Sequence, residues 1–197
     1  ATPVDKQGLV SVVLEICGDL QPETWRDPKV LYQSDKLLIW HRKSSKKPEP
    51  IWFRVGDQHI QLRVKLPSLV FVLGRELRVY AACSSHVSRA TRLYHAPLCN
   101  VNEQGILCLG SATRPSASAS TEVKIAQFED ALLGSNFTHT NCKKTFKALE
   151  GSDKNTTKGH IEMWKHFEAL GKAPCSKDLY PLNRTLESLV QTLESKS

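Results

Sequence analysis

Residues 69–82 read LVFVLGRELRVYAA, and this stretch constrains the fold most. Two apolar, partly β-branched runs, 69–73 and 77–82, flank Gly74-Arg75-Glu76. Runs of this length bounded by turn residues predict strands, and Gly74 is able to take the positive φ of a tight hairpin turn. Upstream, 30–32, 37–40 and 51–55 are short strand-like runs separated by turn residues. In 60–64, Ile60, Leu62 and Val64 alternate with Gln61 and Arg63, the pattern of a half-exposed strand, before Pro67 interrupts pairing. The order predicts an antiparallel β-meander. Segment 9–16, LVSVVLEI, reads equally as a buried strand or a short helix, and Pro22, Trp25 and Pro28 mark a loop.

The meander leads into 93–110, LYHAPLCNVNEQGILCLG. Here Asn100 and Cys108 stand eight residues apart, with Gly105 between them and Leu107 and Leu109 flanking the thiol. A cysteine among apolar neighbours is often core filler. A carboxamide at a fixed short spacing points instead to acyl transfer through a thioester. That chemistry needs a sulfur nucleophile and a hydrogen-bond donor aimed at the oxygen that becomes negative in the tetrahedral intermediate.

Downstream, RPSASAS (114–120) reads as an exposed loop. Ser120 caps a helix reaching about Leu133, with Glu122 in its first turn, Ile125, Phe128 and Leu132 on one face, and Gly134 as its stop. GSNFTHTN (134–141) is a turn bearing His139, and 150–159 is a polar linker. A helix over 159–170 carries Ile161, Trp164, Phe167 and Leu170. A last helix, capped by Asn183, carries Leu186, Leu189, Val190 and Leu193 at helical spacing. The expected organisation is an α+β domain over 1–150 and a helical extension, 151–197, packed on the same domain.

Composition narrows the function classes. A chain of 197 residues, 40% hydrophobic and 24% charged, buries one good core and reads as an ordinary soluble protein. No apolar run approaches the roughly 18 residues of a membrane span. The N-terminus ATPVDKQG lacks a signal pattern, so a cytoplasmic location is expected. The six cysteines, at 17, 83, 99, 108, 142 and 175, contain no Cys-x-x-Cys pair, and reduced thiols are expected. His139 and Cys142 have half of a metal-site spacing, but no second pair completes it. No metal and no cofactor is expected. The net charge of +7 favours acidic partners, nucleic acid or an acidic protein surface. The densest basic run, HRKSSKKPEP (41–50), reads as a solvated hairpin loop, with a nucleic-acid contact as the alternative. No recognised nucleic-acid-binding signature accompanies it.

The segment from Asn100 through the Gly turn to Leu107-Cys108-Leu109 resembles the active-site segment of ubiquitin-conjugating enzymes, which has the same asparagine-to-cysteine offset. The stretches LVFVLGRELRVYA, LYHAPLCNV, CLGS and EDALLGSNFTH are similar to a prokaryotic branch of that superfamily, protein B of the PRTRC cassettes, which also have ParB-related and ThiF-related members. His95 stands five residues before Asn100, with Pro97 between, where the superfamily has a contiguous His-Pro-Asn. The resemblance implies a UBC-like fold: an antiparallel meander, an active-site cysteine loop and packing helices. It implies that Cys108 accepts a ubiquitin-like protein as a thioester from a ThiF-like activating enzyme and passes it to an amine of a protein target, with Asn100 polarising the carbonyl. A JAB-type peptidase in the same cassette is a further expected partner. An acceptor lysine, with a reference pKa near 10.4, must lose a proton. The candidate bases are His139, which follows the helix behind the loop, and His95. A non-catalytic UBC-like binding module and a basic plasmid-maintenance protein associated with nucleic acid are the alternative readings.

Overall fold

A computed structural model of the chain describes residues 27–110, 112–151 and 155–195. Segment 9–16, Pro22 and Trp25 lie outside the described residues. The elements in order are β1 (Val30–Gln33), β2 (Leu38–Arg42), β3 (Glu49–Val55), β4 (Gln58–Val64), β5 (Ser68–Leu73), β6 (Leu77–Ala82), β7 (Arg92–His95), α1 (Thr121–Leu133), β8 (Asn136–Phe137), a 3-10 turn (Lys147–Leu149), α2 (Thr157–Leu170), β9 (Pro181–Thr185) and α3 (Leu186–Ser195). A six-stranded antiparallel sheet runs β1-β2-β5-β6-β7-β9, and a three-stranded sheet runs β4-β3-β8, with β8 parallel to β3. The fold is α+β and UBC-like.

Period-two alternation divides the large sheet between two cores. Trp40, Leu69, Phe71, Leu77 and Val79 face the small sheet and helices α1 and α2, where they meet Phe53, Phe128, Leu132, Trp164 and Phe167. Ile39, Val70, Val72, Tyr80 and Ala82 face the other way and are covered by Leu186 and Leu189 of α3. Both faces are buried, which is why LVFVL is apolar without a break. Trp40 stacks on Phe71 at 4.8 Å between centroids, and its indole N–H donates to the Glu129 carboxylate at 3.2 Å. Glu129 also pairs with Lys29 (3.3 Å) and Arg42 (3.6 Å), and these contacts hold α1 against the sheet.

Several local expectations need correction. The 41–50 run is not a hairpin loop: β2 pairs with β1 and β5, and β3 with β4 and β8, so it carries the chain from one sheet to the other. It is only partly solvated, because His41 is buried and Arg42 pairs with Glu49 and Glu129. Gly74 does not adopt positive φ; the three-residue turn opposes Leu73 to Leu77 without it. Helix α2 starts two residues before Gly159, capped by Thr156. Asn183 lies within β9 at φ 57° and caps nothing. The cap of α3 is Thr185, whose hydroxyl accepts from the Ser188 N–H (3.2 Å) while the Ser188 hydroxyl accepts from the Thr185 N–H (3.1 Å). The chain after 151 therefore adds a strand to the main sheet as well as two helices.

His160, on α2, is fully buried, its Nε2 2.9 Å from the Thr145 hydroxyl and its ring edge-on to Phe146. Burial lowers its pKa to about 4. Since the unfolded value is near 6.5, the unfolded chain binds more protons between those values. The stability linked to a neutral His160 is complete above pH 6.5 and lost as pH falls to about 4, at most about 3 kcal/mol at 1.36 kcal/mol per pKa unit. Burial lowers the pKa of His41 and His95 too, which adds in the same direction. Urea unfolding free energies are expected to fall from pH 6.5 to pH 4, with a shallower slope in His160→Gln; an unchanged slope in that variant contradicts the assignment.

Candidate active site

The cysteine loop is built by main-chain pairing along β6. Residues 80–82 of β6 pair with β7. Its first half pairs with the loop instead: Val79 N–H donates to Gly105 C=O (2.8 Å), Leu107 N–H donates to Leu77 C=O (2.9 Å), and Arg78 bridges to Ile106. The chain leaves the sheet after His95 and rejoins the same strand at Gly105. The excursion is pinned to the core by buried Leu98, Cys99 and Val101, and by the Trp164 indole N–H on the Pro97 carbonyl (3.1 Å).

Within that excursion the chain forms its own small hairpin. Val101 bridges Leu107, and Asn102 N–H donates to Ile106 C=O (3.0 Å). The Asn102 side-chain oxygen accepts from the N–H groups of Gln104 (3.0 Å) and Ile106 (2.9 Å), closing the turn. Gly105 is at φ +79°, and a Cβ there would lie 2.4 Å from the Tyr80 ring, whose hydroxyl donates to Gln104 C=O (2.9 Å). The next rung is Cys108 N–H on Asn100 C=O, at 2.8 Å. The offset of eight is thus a hairpin register. It sets Asn100 opposite Cys108, where side chains of an antiparallel pair lie about 5 Å apart at Cβ.

Cys108 is exposed and shares with Asn100 an open cleft of about 580 Å³. The Asn100 side-chain oxygen and nitrogen are both buried and without a hydrogen-bond partner among the described residues. Leaving such groups unpaired costs roughly 1–3 kcal/mol. An unpaired carboxamide N–H₂ is a donor of the kind that a developing negative oxygen engages.

His139 is exposed on the same cleft, its Nδ1 2.9 Å from the Thr138 hydroxyl. His95 stands elsewhere. It is buried on β7, with Nδ1 3.7 Å from the Cys142 sulfur, its ring edge-on to Tyr180 and its N–H on the Tyr180 carbonyl (3.1 Å). It does not line the cleft. Cys99 is buried, and desolvation pushes its thiol up to about 12. Among the described residues no cluster of three or more His, Cys, Asp or Glu could hold a metal ion, and no helix is long and apolar enough to cross a membrane.

The cleft also contains side chains that the sequence reading did not single out, among them Arg54, Asp130 and Asn141. Asp130 was within reach of sequence reasoning: on a helix that buries Ile125, Phe128, Glu129 and Leu132, position 130 falls on the opposite face. Arg54 comes from the small sheet and reaches the cleft only through the β3–β8 pairing, which no local pattern announces.

Iodoacetamide on the native protein is expected to modify Cys108 well before Cys99 and Cys142, which are about 1% exposed, with peptide mass spectrometry as the readout. Modification of Cys99 ahead of Cys108 contradicts the placement of the two thiols.

A family model described as prokaryotic E2 family D matches residues 9–178. No curated protein and no solved structure matches the chain. The match spans the meander, the cysteine loop, α1 and α2, so sequence and fold agree on the same class. The chain belongs to prokaryotic E2 family D, within the ubiquitin-conjugating-like class whose members work with an activating enzyme and ubiquitin-like partners.

Proposed function

We propose that the protein is a conjugating enzyme that carries a ubiquitin-like protein as a thioester on Cys108. The observation that supports this reading is an exposed Cys108 on an open cleft that Asn100 also lines, with Asn100 facing it across the hairpin and carrying a buried side-chain amide that has no partner among the described residues. The donor arrives from a ThiF-like activating enzyme that has adenylated it. The Cys108 sulfur attacks the donor's C-terminal carbonyl carbon as the activating enzyme's thiolate leaves. Exchange of one thioester for another is nearly neutral in energy, so ordinary thiolate chemistry suffices.

Transfer to an amine is the harder step. The acceptor nitrogen must lose a proton and the carbonyl oxygen turns negative, and the Asn100 N–H₂ is the donor available to that oxygen. His139 is the base on this side of the cleft: in the tautomer whose Nδ1–H donates to the Thr138 hydroxyl, Nε2 is the nitrogen that takes the proton. His95, buried beside Cys142, acts by holding β7 and the start of the excursion in place. The likeness of LYHAPLCNV and EDALLGSNFTH to protein B of the PRTRC cassettes supports a cassette setting, with a JAB-type peptidase as the enzyme that would remove the modifier.

The test is incubation with a cognate activating enzyme, ATP and ubiquitin-like protein. The expected product is a reductant-sensitive adduct that Cys108→Ala abolishes. Asn100→Ala is expected to keep the adduct and slow its discharge to lysine about 100-fold, the cost of losing one oxyanion donor (about 2.7 kcal/mol). An adduct that persists in Cys108→Ala overturns the reading.

A further inference from the structure

The β3–β4 hairpin leaves the large sheet and turns one face to the core and the other to solvent. Ile51, Phe53, Leu62 and Val64 are buried on the inner face. Period two then places Pro50, Trp52 and Arg54 of β3, and His59, Gln61 and Arg63 of β4, on the outer face. The register pairs Pro50 with Arg63, Trp52 with Gln61 and Arg54 with His59. On the far side of β3, β8 sets Asn136 beside Trp52. Trp52 therefore stands in the middle of the face, between a glutamine and an asparagine on the flanking strands. Arg54 and Arg63 sit one step to either side, about 7 Å along the strands from the tryptophan.

The make-up of this face sets it apart from an ordinary solvated surface. Neither strand places a carboxylate on it: Glu49, the one acid of β3, has the parity of the inner face and pairs with Arg42. The neighbouring residues add charge of the same sign. Lys46 and Lys47 are exposed just before β3, and Lys65 follows β4. The Arg63 guanidinium donates to the Pro48 carbonyl (3.4 Å), which joins the lysine run to the face. Two carboxylates border it. Asp57 lies in the turn beside Arg54 and His59, and Glu168 of α2 accepts the Arg63 main-chain N–H (2.6 Å). Against these stand five cations, Lys46, Lys47, Arg54, Arg63 and Lys65, and among the described residues none of the five forms an ion pair. Among them Trp52 is 37% exposed.

An exposed indole amid uncompensated cations suits a polyanion that also offers flat aromatic groups. A single-stranded polynucleotide has both: phosphates for the guanidinium and ammonium groups, and unpaired bases for the indole. In a duplex the bases are stacked on one another, and a flat sheet reaches only the phosphates. An acidic protein surface matches the cations but gives the indole no partner. Gln61 and Asn136 each donate and accept, which the edge of an unpaired base requires. We propose that the outer face of the small sheet binds single-stranded nucleic acid, with a base stacked on Trp52 and the backbone running along Arg54, Arg63 and the 46–47 lysines. Arg54 also lines the Cys108 cleft, so a strand held here passes its mouth. The assignment does not rest on Cys108 being an acyl carrier.

The probes are fluorescent oligo-dT and oligo-U single strands of about twelve nucleotides, titrated with the full chain and read by anisotropy. At about 50 mM salt at least one of the two is expected to bind, and its affinity to fall with rising salt at a logarithmic slope of about −3, as four to five phosphate contacts at about −0.7 each require. Trp52→Ala is expected to weaken binding about tenfold with the slope unchanged, while Trp52→Phe keeps most of the affinity. Arg63→Gln and Lys47→Gln are each expected to reduce the slope by about 0.7. Circular dichroism checks the fold of each variant, and Trp52→Leu, which keeps an apolar stem without a ring, replaces Trp52→Ala if that variant does not fold. A duplex of the same length is expected to bind more weakly than the single strand. No binding of either strand, equal affinity with and without the ring at position 52, or tighter binding of the duplex overturns the proposal. So does competition by inorganic polyphosphate of equal charge that matches competition by unlabelled strand, since the face would then select acidic groups alone, as an acidic protein partner offers.

Discussion

The structure depends on one strand serving two partners. The second half of β6 pairs with β7 and its first half with residues 105–107, so a single edge carries both the entry to the cysteine loop and its return. These hydrogen bonds fix the returning strand against a rigid, doubly buried sheet. The small hairpin of 100–108 then inherits that register, and Cys108 and Asn100 come to line one cleft as a consequence. A pair of side chains held by main-chain rungs on a packed sheet is more tightly positioned than one on a free loop. Gly105 is where this arrangement has no slack, because the Tyr80 ring occupies the space of a β-carbon.

The two cores explain why the sheet is rigid enough for this. Trp40 and Phe71 stack beneath α1, while Glu129 of the same helix gathers the Trp40 indole, Lys29 and Arg42. Turning Glu129 toward the sheet leaves its neighbour Asp130 facing the cleft. One residue anchors the helix, and the next lines the cleft that Cys108 also lines. On the far face, Leu186 and Leu189 of α3 seal the residues that the meander would otherwise expose.

Much of this was legible in the chain because the signals are local. LVFVL and LRVYAA are strands by composition, Ser120 and Gly134 bracket α1 at the expected residues, and the Asn100–Cys108 spacing is a register that a reader can count. What escaped was set by tertiary partners. β3 and β4 look like two more meander strands, and nothing in them announces a separate sheet. PLNRT pairs with β7 although its sequence is half polar, because the edge of the sheet is open there. The cap of α3 is a reciprocal Thr185–Ser188 pair, while Asn183, a good capping residue in isolation, takes φ 57° inside the strand. His95 and His139 look alike in sequence, yet one is enclosed beside Cys142 and the other opens on the cleft.

The central claim is that the Asn100 amide reaches a carbonyl attached to Cys108. Acylating Cys108 with a ¹³C-carbonyl-labelled glycyl group and recording its NMR resonance tests this directly. The account predicts a downfield, hydrogen-bonded carbonyl in the native protein that moves upfield in Asn100→Ala. The same resonance in both proteins would mean that the amide points away from the reacting centre, and would contradict the account.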